Sequence, residues 1–326
     1  MVDIARLRLG PWVAAPRLCI ESSNRLPGTL PCVCGAGERF YATGVIGRGA
    51  HGVIVRYAST TDPSRAVALK VVRGGRAAAE EDEGCEVPEC PGVVAQRRLL
   101  PLEPGAPGFA FFVMRCLEHD IHGLPPATGA GAVARARGVV AAVAATLAGL
   151  AKVGRRYHDV KPANVLVDAA GGFHLADISS VACRSSTYPP PNCLRRVHPW
   201  YRHNGGFMQG PRAECYALNT VWTLMVCFLI VALPGRRVVC QGTEMSLSSL
   251  FVYSNPAVRQ KNTDATLRAA EHLLGEIDAP VARHLGTLLR RIRSGHLPEL
   301  ARTLATLKDL RSSSRLASAA RTPGFA

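Results

Sequence analysis

Asp159, Lys161 and Asn164 sit close together in the stretch YHDVKPANVLV, residues 157–167. A carboxylate, an ammonium and an amide so near one another can accept a proton, meet developing phosphate charge and offer oxygen to a hard metal ion. Those are the tasks that phosphoryl transfer leaves to a protein. The lysine is conspicuous. Of 39 basic side chains only Lys70, Lys152, Lys161, Lys261 and Lys308 are lysines, so arginine is this chain's default cation and a retained lysine points to a chemical requirement. Further along, FHLADIS brings a second isolated carboxylate, Asp177.

Upstream, GVIGRGAHGVIV holds Gly47, Gly49 and Gly52 in G-x-G-x-x-G spacing between two β-like runs. Without side chains there, backbone N–H groups can approach phosphate oxygens. The spacing alone is common in a chain with 31 glycines, and it gains weight from the strand downstream of it. That next β-like run ends VALK on Lys70, a compact point charge carried by a strand next to the glycine loop.

These side chains need elements to hold them. FYATGVIG, GVIVRYA and AVALKVV are rich in β-branched and aromatic residues and are separated by glycine-rich or Thr-Asp-Pro-Ser turn signals, so an antiparallel meander is expected. The acidic stretch AAAEEDEGCEV is expected to form a short helix, and FAFFVM another strand. Val139, Val143, Leu147 and Leu150 recur every three or four residues, as on the buried face of a helix that leads into the 157–167 loop. The predicted class is therefore α+β, a small β-rich part (39–118) before a larger helical part (119–310). Residues 1–38 and 311–326 are expected, from composition and absent periodicity, to be an N-terminal extension and a flexible tail.

Composition excludes some classes. With 326 residues and 48% hydrophobic content the chain can bury a large core, so disorder throughout is ruled out. The net charge of +15 decides little, because a chain biased toward Ala, Arg, Gly and Pro accumulates arginine whatever its function. The interleaving of aromatic and basic residues expected of a strand-tracking nucleic-acid groove is missing. The eleven cysteines form no repeated C-x-x-C pattern, and the first twenty residues lack the uninterrupted apolar core of a secretory signal, so free thiols in a reducing compartment are expected. The longest apolar run, Val221 to Leu233, is too short to cross a bilayer and reads as a buried helix; no membrane span is expected.

The joint order of the glycine loop, Lys70, Asp159-x-Lys161-x-x-Asn164 and Asp177 resembles the eukaryotic-type protein kinases, from about Val45 to Leu233, with a helical remainder to about Leu310. The resemblance implies a bilobal kinase fold, an N-lobe over 39–118 and a C-lobe over 119–310, and ATP with Mg²⁺ as cofactors. It implies that Asp159 accepts the substrate hydroxyl proton, Lys161 steadies the γ-phosphate, and Asn164 and Asp177 hold the metal. Pro162, after the loop lysine, is similar to the Ser/Thr class. A glutamate on the first helix should pair with Lys70. Glu81, Glu83 and Glu86 compete, and Glu83 is favoured because its fourth following residue is the apolar Val87, although Glu81 has the better spacing to Cys-Pro-Gly-Val-Val. The strand FFVMRCLEHDI resembles the adenine-contacting hinge, with Met114 at its back and the backbones of Arg115 and Leu117 against the base.

Departures narrow the likeness. His158 stands where the arginine that receives an activation-segment phosphate would be, Asp177-Ile178-Ser179 replaces D-F-G, no clear A-P-E is found beyond it, and Glu214 replaces an Asp at the start of the central helix. With its compact length and Ala/Arg/Pro-rich composition, the chain resembles the conserved herpesvirus protein kinases of the alphaherpesvirus tegument type. That likeness implies viral and host protein substrates and a virion and host-nuclear location. A reading of another class, a pseudokinase scaffold that binds partners without phosphotransfer, is prompted by the same altered motifs.

Overall fold

Val53, Val55 and Tyr57 alternate with more exposed neighbours, and this period of two folds Gly52–Ser59 as a strand. The computed structural model describes residues 6–14, 29–35, 37–48, 52–85, 90–100, 108–157, 159–178, 181–183, 212–240, 243–247, 263–293 and 299–309. Within them the protein is α+β. The chain divides into two compact units, Met1–Glu89 with Val93–Glu118 and Ala176–Val181, and Cys90–Gly92 with His119–Leu175 and Ala182–Ala326.

The first unit is built on one antiparallel sheet. Its strands are β1 (Arg8–Ala14), β2 (Thr29–Gly35), β3 (Glu38–Arg48), β4 (Gly52–Ser59), β5 (Ala66–Arg73), β6 (Gln96–Leu99) and β7 (Phe109–Arg115), in the order β1-β2-β3-β4-β5-β7-β6. The expected meander is β3-β4-β5. At its β4–β5 turn Asp62 Oδ1 accepts from Ser64 N at 3.0 Å and from Ser64 Oγ at 2.6 Å, the side-chain turn that Thr-Asp-Pro-Ser encodes. One face of the sheet buries Val55, Tyr57, Val67, Leu69, Phe111 and Val113. The other face of β5 carries Ala68, Lys70 and Val72, and there Val72 and Phe112 pack with Ala78 of helix α1 (Arg76–Cys85). Lys70 pairs in register with Phe112 and so lies on the face that α1 covers.

The expectation of a loosely structured extension before residue 39 is corrected. β1 and β2 add two strands to the sheet, and Leu7, Leu9, Leu30 and Val33 enter its core at 3% exposure or less. Short runs broken by Gly10, Pro11 and Pro31 hid the period of two, and only pairing, β1 on β2 and β2 on β3, makes strands of them. The predicted tail, 311–326, lies outside the described residues.

The second unit centres on α2 (Gly129–Lys152), whose Val139, Val143, Leu147 and Leu150 are all buried, as their spacing predicts. α2 packs against α3 (Arg212–Ala232) and α6 (Leu300–Asp309); α4 (Thr263–Gly275) and α5 (Pro280–Arg293) pack on each other. In α3 nearly every residue from Val221 to Ala232 is buried, which is why that run is apolar on all sides. Among the described residues one helix, α2, is long and apolar enough to cross a membrane; more than half of its apolar window is buried inside the protein, as in a core helix.

Short strands complete this unit. β8 (His119–Asp120), β10 (Val165–Val167) and β11 (Phe173–Leu175) form a small sheet, while β9 (Arg155–Tyr157) pairs with β12 (Val181–Cys183) and β13 (Arg237–Cys240) with β14 (Thr243–Ser246). Asp168 locks the β10–β11 turn. Its Oδ1 accepts from Ala170 N at 3.0 Å and Gly172 N at 2.7 Å, and its Oδ2 lies 2.6 Å from His174 Nε2.

Candidate active site

The first unit holds a buried charge cluster. Lys70, in the fifth strand of a seven-stranded sheet, is 7% exposed and donates to Glu81 Oε1 at 2.5 Å and to Asp177 Oδ1 at 2.9 Å. Glu81 is 1% exposed, and its second oxygen accepts from Gln96 Nε2 at 2.8 Å. Burial alone pulls the Lys70 ammonium below the ordinary lysine pKa. The Asp177 and Glu81 carboxylates outweigh it, and the net shift is upward, so the side chain is a firmly held cation near neutral pH.

The partner of Lys70 is therefore Glu81, and the preference for Glu83 is corrected. Ala78, Glu81 and Cys85 succeed one another at spacings of three and four, and Ala78 and Cys85 pack on Val72, Ala110 and Phe112 of the sheet. That stripe fixes which face of α1 meets β5. A residue two positions after Glu81 is about 200° around the axis and off the stripe. The signal was present in the apolar Ala78 and Cys85 flanking Glu81; Val87, on which the preference for Glu83 rested, lies outside the described residues, as does Glu86.

Asp177 has a φ of +59° and is the one non-glycine with positive φ among the described residues. The left-handed region is costly for most side chains and more tolerable for Asp and Asn. Ile178 behind it is 2% exposed, so the chain anchors an apolar side chain immediately after turning the carboxylate onto Lys70.

In the second unit the 157–167 loop is wrapped around Asn164. Pro162 opens a short 3-10 turn, Pro162–Asn164, and Asn164 N donates to Lys161 O at 2.9 Å. Buried Tyr157, Val160 and Val165 pin the segment from below. Asn164 Nδ2 contacts Asp159 O at 2.8 Å, Asp159 Oδ2 at 3.1 Å and Tyr157 Oη at 3.1 Å, while Lys161 Nζ donates to Asp159 Oδ2 at 2.7 Å. Asp159 and Asn164 are 8% and 7% exposed. The three residue types picked from spacing thus share one hydrogen-bonded cluster. Tyr157 belongs with them as the acceptor that steadies Asn164, a role its aromatic type did not announce.

The remaining expected residues are more scattered. Gly47 pairs with Ile54 in the β3–β4 ladder, Gly52 pairs with Val72 in the β4–β5 ladder, and Gly49 lies outside the described residues. A Cβ on Gly52 would come within 2.3 Å of Val71 O, so β4 needs glycine there to approach β5. At Gly47 the nearest atom would be a side-chain carbon of Ile54 at 3.3 Å. Met114 is buried near the end of β7, and Arg115 and Leu117 are half-buried beyond it. His158 and Ser179 lie outside the described residues.

The donors fit a hard cation. Mg²⁺ is held by one or two carboxylates and by nucleotide phosphates; Asp177 of the first unit carries a carboxylate of that kind, and Asn164 of the second unit carries a neutral amide oxygen. No protein-family model matches the chain, and no curated protein matches it in sequence.

Proposed function

We propose that the protein is a bilobal Ser/Thr protein kinase that moves the γ-phosphoryl group of ATP to a protein hydroxyl. The observation that carries this reading is the Lys70 ammonium bound to Glu81 on one side and Asp177 on the other. A buried lysine held by a helix glutamate and by a carboxylate from a distant segment is the arrangement needed to present a fixed positive charge to nucleotide phosphates.

In the proposed reaction the acceptor oxygen bonds to the γ-phosphorus, the bond from that phosphorus to the β,γ-bridging oxygen breaks, and ADP departs. Asp159 takes the hydroxyl proton, and its hydrogen bonds from Lys161 and Asn164 aim the carboxylate. Lys161 is half-exposed and can track the phosphoryl group as charge moves onto the acceptor side. Lys70 steadies the phosphates that leave with ADP. Asp177 and Asn164 are the residues that would hold Mg²⁺, which supplies charge neutralisation on the phosphates. The backbone around Gly47 and Gly52 approaches the phosphates, and Met114, Arg115 and Leu117 border the adenine. The finer reading, from composition and the Asp-Val-Lys-Pro-Ala-Asn loop, is a herpesvirus tegument-type kinase acting on viral and host proteins in the virion and host nucleus.

The test is transfer of labelled γ-phosphate from ATP to a generic acceptor protein with Mg²⁺, with Asp159→Asn as control. Transfer lost in the control supports the reading. Nucleotide binding without any transfer would replace it with the scaffold reading.

A further inference from the structure

We propose that Gln96 is a positioning residue that holds the Lys70–Glu81 pair in its working geometry. Gln96 opens β6 opposite Met114 of β7, on the sheet face it shares with Lys70 and Phe112. It is 7% exposed in a strand, Gln-Arg-Arg-Leu, whose two central residues are arginines and whose last is the buried Leu99. Its Nε2 donates to Glu81 Oε2 at 2.8 Å and also to the main-chain oxygen of Glu81 at 3.2 Å. An amide nitrogen has two hydrogens, and two acceptors of Glu81, one on the side chain and one on the main chain, lie within their reach.

The last torsion of a glutamate is broad, so a carboxylate held by one oxygen can swing. Lys70 binds Oε1 and Gln96 binds Oε2, which fixes the carboxylate plane, while the second bond ties α1 itself to β6. A side chain serving packing alone at this buried position would be apolar. The charged and titratable groups around it are Lys70 from β5, Glu81 and Cys85 from α1, and Asp177; Arg98, next on the same face of β6, pairs with Asp82.

The first measurement needs no catalysis. The full-length, nucleotide-free chain is treated briefly with acetic anhydride at pH 8, and acetylation of Lys70 is read by peptide mass spectrometry against the exposed Lys152 and Lys308. Wild-type Lys70 should react slowly, being buried and hydrogen-bonded to both Glu81 and Asp177. Gln96→Met keeps the length and removes both donors. It should raise the Lys70 ratio at least fivefold, because a Glu81 carboxylate no longer fixed at its second oxygen can swing off Lys70 and leave the amine open to the reagent. Gln96→Asn, one methylene short, should give a rise in the same direction and serves if Gln96→Met does not fold. A wild-type ratio in the folded variants overturns the inference.

The second measurement rests on the kinase reading. Gln96→Met should lower kcat for phosphotransfer at least tenfold while KM for MgATP changes less than threefold. Gln96→Glu can donate only when protonated, so its activity relative to wild type should recover as pH falls from 8 to 6. A pH-independent ratio overturns the positioning role. A wild-type protein that transfers no phosphate overturns the kinase reading instead, and the labelling result still decides the role of Gln96.

Discussion

Lys70 Nζ meets Glu81 Oε1 at 2.5 Å, joining the interior of a sheet to a helix that comes after it in sequence, with both side chains almost wholly withdrawn from water. Two opposite charges so placed are costly to desolvate and more costly to separate, because removing one leaves the other buried and uncompensated. The pair is therefore a sensitive point for stability as well as for chemistry.

Lys70→Ala should lose about 3–5 kcal/mol of stability in denaturant titrations, the cost of an orphaned buried carboxylate. The double change Lys70→Met with Glu81→Gln should recover most of that loss and still transfer no phosphate. If the double variant regained activity, Lys70 would not be the phosphate cation.

The upward pKa shift of Lys70 fixes the sign of a pH effect. A cation whose folded pKa exceeds its unfolded value stabilises the fold fully below the unfolded value, about 10.5, and that stability disappears as pH rises through the folded one. The stability gap between wild type and the Lys70→Met, Glu81→Gln double variant should therefore be constant from pH 7 to 9 and shift against wild type above about pH 10.5. A gap unchanged at pH 11.5 would contradict the assignment.

Asp177→Asn should raise the Mg²⁺ concentration needed for half-maximal rate, while Asp159→Asn should lower kcat with little change in nucleotide affinity. Asn suits the φ of +59°, so the first variant should fold normally. Asp177→Ala should cost about 1–2 kcal/mol more than Asn through backbone strain alone. Equal loss of nucleotide affinity in Asp159→Asn and Asp177→Asn would dissolve this division of roles.

Two loop glycines should separate by mechanism. Gly52→Ala sets a Cβ against the Val71 carbonyl and should destabilise by about 1–3 kcal/mol, as overpacking does. Gly47→Ala meets only the Ile54 side chain and should leave thermal stability within a few degrees of wild type while raising KM for MgATP. An unchanged KM would remove Gly47 from the phosphate loop.

The sequence by itself determined the elements with strong periodicity and the residue types of the site. The β3-β4-β5 meander, the β7 strand and the buried stripe of α2 were legible because a period of two or of 3.6 is a property of the local chain. Asp159, Lys161 and Asn164 were legible as a group because they lie within one loop, and the structure joins them by hydrogen bonds. Tertiary structure decided what depends on partners distant in sequence. β1 and β2 became strands only by pairing, the basic stretch Gln96–Leu99 became an edge strand only beside β7, and Gln96 gained its role only when α1 brought Glu81 over it. The choice of Glu81 over Glu83 was of this kind too. Several acidic side chains crowd one short helix, and the chain alone could not say which would face Lys70, because that depends on how Ala78 and Cys85 seat the helix on the sheet.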